Sequence, residues 1–149
     1  MTLLVSLAIG CANDDIQLPD QELLGTIDGE DWEYDSANGF LQTTDFQYLA
    51  RFLSDKETVS DPCALPRPGR MHVKAIFRPA IGSFTVTPQA ISNNQVQVAF
   101  EISPAKTLIA GSGFMEIFDI NNQIVFGYLQ AIVDDENMVE GAFQVRLCN

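Results

Sequence analysis

Carboxylates are the side chains of this sequence with the most capacity for chemistry, and three of them are adjacent. Asp134, Asp135 and Glu136 lie between two apolar runs and carry the hard oxygen atoms that bind Ca²⁺ in proteins. Their spacing does not match an EF-hand loop, and consecutive residues on a tight turn rarely converge on one ion. We therefore treat them as weak calcium candidates and favour a solvated hairpin turn.

Other catalytic patterns are scarce. His72 is the only histidine, which excludes a two-histidine metal site and the H-E-x-x-H helix. Gly111-Ser112-Gly113 lacks the G-x-S-x-G spacing of a nucleophile elbow. Carboxylate pairs for glycoside hydrolysis stay open, because their separation is a three-dimensional quantity. The sequence thus predicts no cofactor and gives no catalytic residue, which favours a non-enzymatic function.

Two aromatic residues are candidates for ligand binding. Trp32 and Tyr34 alternate with Asp31 and Glu33, which places both rings on one face of a predicted strand. Exposed rings at these positions would stack on sugars. Large aromatic residues at strand period more often pack in a core, so both interpretations are kept.

A basic cluster is a second candidate binding feature. Arg67 and Arg70, with Lys74 and Arg78, supply half of the eight Lys and Arg residues. On an acidic protein they would form a local site for an anion or a partner. The alternative is ordinary solvated charge on a loop and an outer strand face.

The overall charge limits the partners. Lys and Arg number 8 against 20 Asp and Glu, which gives a formal net charge of −12. Phosphate backbones are repelled by such a charge, so no nucleic-acid partner is predicted. A protein or carbohydrate partner stays open. With 149 residues, 46% of them hydrophobic, one domain with a substantial core is expected.

The N-terminal run at residues 3–9 is too short to span a membrane but fits the apolar region of a secretory signal. It leads into Leu7-Ala8-Ile9-Gly10-Cys11, which resembles the lipobox of bacterial lipoproteins. The resemblance implies that residues 1–10 are a signal segment cut before Cys11. Cys11 would then be lipidated and attach the chain to a membrane through its acyl chains. The alternative is a buried strand at 3–9, with Cys11 as a core thiol.

Residues 11–21 are predicted to be an acidic tether behind the lipidated cysteine. Asn13-Asp14-Asp15 is similar to the acidic stretch of some Bacteroidetes surface lipoproteins, and the absence of Asp directly after Cys11 is similar to outer-membrane lipoproteins. The resemblance implies a location at the outer membrane, on its periplasmic face or at the cell surface. In such an oxidising compartment Cys63 and Cys148 would form a disulfide, whereas without export they would be two buried free thiols.

From residue 22 to residue 149, short apolar runs alternate with turn signals, which is typical of an all-β sandwich or barrel. We predict an antiparallel β-sandwich of about nine or ten strands, with a lipocalin-like β-barrel as the alternative. Asp28-Gly29 and Asn38-Gly39 predict hairpin turns. Residues 46–53 fit both helical and strand periodicity, and the surrounding strands favour a strand.

Two segments together resemble small lipoproteins of Bacteroidetes and myxobacteria, which are domains of unknown function. They are Gly25-Thr26-Ile27-Asp28-Gly29 with Trp32, and the ending Val139-Glu140-Gly141 with Phe143, Val145 and Cys148. The resemblance implies a β-sandwich or lipocalin-like fold at the cell envelope and no catalytic residue. The expected function is a lipid-anchored binding or structural module. The alternatives are a carrier of a small apolar ligand in a barrel cavity and a carboxylate-dependent envelope hydrolase.

Overall fold

Strands, and no helix, form the part of the chain that the structure describes. The structure is a computed structural model and describes residues 21–42, 46–54, 63, 71–89 and 92–148. The all-β prediction is therefore confirmed, whereas the signal segment 1–10 and nearly all of the tether lie outside the described residues. The ten strands are β1 (Leu24–Ile27), β2 (Glu30–Gln42), β3 (Gln47–Ser54), β4 (His72–Phe77), β5 (Gly82–Val86), β6 (Gln95–Ser103), β7 (Lys106–Ile109), β8 (Ser112–Asn121), β9 (Ile124–Asp134) and β10 (Asn137–Cys148).

Of residues 46–53, for which the sequence fits both helical and strand periodicity, all but the first belong to β3. Ala50 and Phe52 are fully buried, whereas Phe46 just before the strand is 83% exposed and has a φ of 54°. Because β3 pairs with β2 on one edge and β4 on the other, its backbone hydrogen bonds are satisfied by the sheet. The strand prediction is confirmed.

The two predicted hairpin turns have different outcomes. Asp28 and Gly29 join β1 to β2 with φ values of 55° and 74°, the positive values that a two-residue turn of this type requires. Asn38 and Gly39 instead lie inside β2, so the turn prediction there is wrong. At these two residues β3 pairs with one edge of β2 and β10 with the other, and the two ladders override the local turn preference.

The sheet closes on itself. Its hydrogen-bonded order is β4-β3-β2-β1-β10-β9-β8-β5-β6-β7, and the further pairings β4–β6 and β2–β10 join its two halves. A continuous ring therefore runs β2-β3-β4-β6-β5-β8-β9-β10 and returns to β2. Only β5–β6 and β2–β10 are parallel, and the remaining pairs are antiparallel. This arrangement is compatible with both the sandwich and the barrel-like alternative.

Large side chains fill the interior of the ring. Phe52, Phe77 and Phe100 are completely buried, and Phe52 packs edge-to-face on Phe143 with ring centroids 5.3 Å apart. In β6 the inward Val96, Val98 and Phe100 alternate with partly exposed outward residues, as the period-two pattern predicts. The same alternation separates a core face from an outer face along most of β9 and β10.

The ring closes at a narrow seam between β2 and β10. Early in its course β10 pairs with β1, and only Arg146, Leu147 and Cys148 pair with β2. Between these two pairings, the backbone of Gln144 is met by the hydroxyl of Tyr34. This hydroxyl donates to the Gln144 carbonyl oxygen at 2.7 Å and accepts from the Gln144 N–H at 3.2 Å. The Tyr34 hydroxyl thus supplies the two hydrogen bonds to Gln144 that the backbone of a neighbouring strand would otherwise supply.

Close chain approach at the same seam requires a glycine. Gly141 of β10 has a φ of 146°, and a Cβ atom at this position would lie 2.6 Å from the Cα of Leu23. The backbone N–H of Leu23 donates to the carbonyl of Ala142 at 2.9 Å, which holds the segment before β1 against β10. A side chain at residue 141 would push these two backbones apart.

Tyr34→Phe tests the role of the seam hydroxyl. Burial raises the pKa of Tyr34 to about 12, which outweighs the opposing effect of its hydrogen bond with Gln144. Because the folded pKa lies above the ordinary value of 10, the neutral phenol stabilises the fold below pH 10, and this contribution is lost as the pH rises towards 12. We expect Tyr34→Phe to lower the unfolding free energy by about 1–3 kcal/mol at neutral pH. It should also reduce the loss of stability between pH 10 and 12.

The measurement is urea unfolding as a function of pH, with Tyr48→Phe as the control because that hydroxyl is not part of the seam. Equal stability losses in the two variants would contradict a special role for Tyr34.

Candidate functional site

A disulfide fixes the C-terminal end of the seam. Cys63 and Cys148 are bonded, with Cα atoms 5.8 Å apart, so the predicted bridge is confirmed and the alternative of two free thiols is wrong. Cys148 is the last residue of β10 and pairs in register with Phe40 of β2. The bridge therefore lies where β10 meets β2.

A charged cluster occupies the outer side of β3, β4 and β6. Lys74 forms an ion pair with Glu101, and His72 Nε2 lies 3.9 Å from Glu101 Oε2. Burial on its own would raise the pKa of Glu101. The hydrogen bond from Lys74 and the nearby charges of His72, Lys74 and Arg51 outweigh it and hold that pKa below its usual value. Burial lowers the pKa of Arg51, and the charge of Glu101 opposes this shift.

The calcium candidates lie at a hairpin tip between β9 and β10. Asp134 Oδ1 accepts from the Glu136 N–H at 3.0 Å and from Asn137 Nδ2 at 2.8 Å, while Asp135 is exposed. Asn137 Oδ1 in turn accepts from the Asp28 N–H at 2.8 Å, which ties this tip to the β1–β2 turn. Within the described ranges, no three His, Cys, Asp or Glu residues are placed to hold a metal ion. The oxygen of Asp134 thus organises a turn.

The aromatic binding candidates point into the protein, which corrects the sugar-stacking hypothesis. Trp32 is 3% exposed and belongs to the core, so its ring has no free face for a ligand. Tyr34 packs edge-to-face on Phe52, with ring centroids 6.2 Å apart, and its hydroxyl is used at the seam. Both residues lie on the inward side of β2, whereas Asp31, Glu33 and Asp35, which alternate with them, are exposed on its outward side.

The remaining sequence candidates are only partly visible. Cys11, Arg67 and Arg70 lie outside the described residues. Lys74 faces Glu101, and Arg78 donates to Asn93 Oδ1 at 2.8 Å. No helix among the residues that the structure covers is long and apolar enough to cross a membrane.

The outer side of β1, β2, β8, β9 and β10 carries a site that the sequence reading missed. The strand register places Leu24 beside Glu33 on one edge and Glu140 on the other, and continues through Gln130 to Phe114. Glu116 and Tyr128 pair with each other in the adjacent row. We call the whole surface the acidic aromatic face and define it by Leu24, Glu33, Phe114, Glu116, Tyr128 and Glu140.

Two aromatic rings form the centre of the acidic aromatic face. The rings of Phe114 and Tyr128 are nearly parallel, with an interplanar angle of 16° and centroids 5.9 Å apart. Phe114 is 36% exposed and Leu24 is 41% exposed. The sequence signal for this face is the alternation along β8. Phe114 is out of phase with the buried Met115 and Ile117, so its ring is expected on the outer side of the strand.

A carboxylate holds one of these rings in place. The Tyr128 hydroxyl donates to Glu140 Oε1 at 2.7 Å across two neighbouring strands. Partial burial raises the pKa of Tyr128 to about 12, and the hydrogen bond and the charge of Glu140 act in the same direction. The phenol therefore stays protonated at neutral pH and keeps donating to Glu140.

Comparisons with known proteins give no further assignment. No protein-family model matches the chain, and no curated protein and no solved structure matches it either.

Removing the disulfide gives a direct stability test. The bridge joins residues 85 positions apart, and the chain-entropy model assigns about 4–5 kcal/mol to a loop of this size. We expect Cys63→Ser to lose most of that unfolding free energy in urea titrations. A reducing agent should bring the wild-type protein to the same level and leave the variant unchanged. Wild-type stability that survives full reduction, verified by thiol counting, would contradict the expected role.

Glu101→Gln tests the charged cluster. Because the folded pKa of Glu101 is lowered, its ionised form stabilises the fold above the ordinary carboxyl pKa, and this contribution is lost as the pH falls through the lowered value. We expect a loss of about 1 kcal/mol at neutral pH that disappears in acid. The check is unfolding free energy against pH, with Asp135→Asn as a control for an exposed carboxylate. A loss of the same size at every pH would contradict the ion-pair account.

Proposed function

We propose that this chain is a lipid-anchored domain of the bacterial cell envelope, attached to the outer membrane through Cys11, that binds a partner without catalysing a reaction. The observation that carries the proposal is the Cys63–Cys148 disulfide. Such bridges persist in oxidising compartments outside the cytoplasm. Because two of the three cysteines are bonded to each other, Cys11 is the one left for an acyl anchor.

Binding at the outer surface is favoured by the state of the interior. An apolar-ligand carrier needs a cavity, and a cavity large enough for a ligand would leave part of the lining side chains accessible. Phe52, Phe77 and Phe100 have no accessible surface. The carrier alternative therefore has less support than binding on an exposed face.

The contacts of several carboxylates argue for a non-enzymatic role. A general acid and base need free carboxyl oxygens that converge on a substrate. Glu101 is in an ion pair with Lys74, Asp134 caps its own turn, and Glu140 accepts from Tyr128. These contacts give the hydrolase alternative little support.

Cys11→Ala tests the anchor. In bacteria that process lipoproteins, we expect the full-length chain to fractionate with the outer membrane. Mass spectrometry should show a mature N-terminus at Cys11 that carries acyl chains. Cys11→Ala should abolish acylation and release the domain, because several buried acyl chains hold a protein on a membrane at about 0.8 kcal/mol per CH₂ group.

Cys63→Ala is the matched control, because it removes a cysteine without removing the anchor. Its membrane attachment should be that of the wild type. The proposal fails if residues 1–10 are retained in the mature protein, or if Cys11→Ala leaves membrane attachment unchanged.

A further inference from the structure

The acidic aromatic face combines exposed apolar groups with carboxylates of one sign. Its centre is the Phe114–Tyr128 ring pair, and Leu24 extends the apolar surface onto β1. Glu116 lies in the same row as Tyr128, and Glu33 and Glu140 lie on either side of Leu24. All of these side chains project from a closed sheet whose interior is filled, so the face is supported by a rigid base.

Positive charge is concentrated elsewhere among the described residues. Arg51 and Lys74 lie on β3 and β4, and in the closed ring β4 stands opposite β9. Lys106 pairs with Asp28 at the β1–β2 turn, at 2.6 Å. Arg146 is six residues beyond Glu140 on β10, about 20 Å away, and donates to the Asn122 carbonyl. The ion pairs and hydrogen bonds that the structure shows for Lys74, Lys106 and Arg146 are therefore made with groups outside the acidic aromatic face.

We propose that the acidic aromatic face docks a basic protein segment, with a Lys or Arg side chain seated on the Phe114–Tyr128 ring pair and its charge facing Glu116 and Glu140. This inference rests on the proposed function, because it specifies the partner of the binding module. Cations are attracted to the faces of aromatic rings, and nearby carboxylates add to that attraction. The net charge of −12 also steers a basic partner towards the protein.

The hydrogen-bonding state of the face favours a cation over a sugar. The Tyr128 hydroxyl is already donating to Glu140, so this phenol offers a ring but no free donor. Glu33, Glu116 and Glu140 offer only acceptors when ionised. The side-chain amide of Gln130, between Glu140 and Phe114, adds donors, but acceptors outnumber them on this face. A sugar hydroxyl network needs donors as well as acceptors, whereas a Lys or Arg head group needs only acceptors.

The test uses the full-length, disulfide-bonded protein and a peptide of alternating glycine and lysine as the probe. Binding is followed by peptide fluorescence anisotropy and by NMR shift changes at low ionic strength. We expect Phe114→Ala to weaken binding about 2- to 5-fold, the effect of losing one exposed cation–π contact. Glu140→Gln should also weaken it, whereas a peptide with glutamine in place of lysine should not bind.

Matched controls separate a specific face from general attraction. Asp135→Asn removes one exposed carboxylate at the hairpin tip, and Ile109→Ala removes an apolar side chain that is 47% exposed on β7. Both variants should bind the lysine peptide like the wild type. The inference is overturned if Asp135→Asn weakens binding as much as Glu140→Gln, if Phe114→Ala has no effect, or if the lysine peptide does not bind.

Cellohexaose serves as a neutral saccharide probe. If it binds in a Phe114-dependent manner and the lysine peptide does not, the face is a sugar platform and the basic-segment inference is wrong. That result would leave the proposed binding module intact, since its membrane attachment is read independently through Cys11.

Discussion

The fold depends on how the sheet is closed between β2 and β10. Only three residues of β10 pair directly with β2, and this pairing is parallel. Two further contacts support so short a ladder. The side-chain hydroxyl of Tyr34 hydrogen-bonds both backbone groups of Gln144, in place of a backbone partner from β2. The Cys63–Cys148 bridge lies at the end of the pairing. Gly141 permits the segment before β1 to pass close to β10. A closed sheet has no open edge along its ring, so the short strand β7, which lies outside the ring and pairs with β6, is its terminal strand.

Closure also decides where the molecule meets its surroundings. Because the inward side chains of the ring pack on one another, the outer faces of the strands are the surfaces that contact the surroundings. Those outer faces differ in chemistry around the ring. One side has the Lys74–Glu101 ion pair with the charge of Arg51 nearby, and the opposite side has aromatic rings among carboxylates. On the first side Glu101 is paired with Lys74, whereas on the second Glu140 accepts a hydrogen bond from the neutral Tyr128 phenol and keeps its negative charge.

Period-two alternation and cysteine chemistry made much of this structure predictable. Val96, Val98 and Phe100 were recognisable as core, Asp28-Gly29 as a turn, and Cys63–Cys148 as a bridge, because each depends on local pattern or on cysteine number. The errors have a common cause, since a pattern does not say which strands are neighbours. Asn38-Gly39 has turn-forming residues, but strands on both edges hold it extended. For Trp32, alternation predicts a face shared with Tyr34 but does not say whether that face lies inside the protein. The acidic aromatic face was missed for the same reason, as its members come from five strands and meet only through register.

Closure of the ring can be measured directly by NMR on the disulfide-bonded protein. The account predicts nuclear Overhauser contacts between backbone protons of β10 and β2 around Leu147 and Gly39, as strong as those of the other parallel pairing, around Val86 and Val96. Absence of the contacts around Leu147 and Gly39, with those around Val86 and Val96 present, would mean that the sheet is open at this point. An open sheet would contradict the central claim.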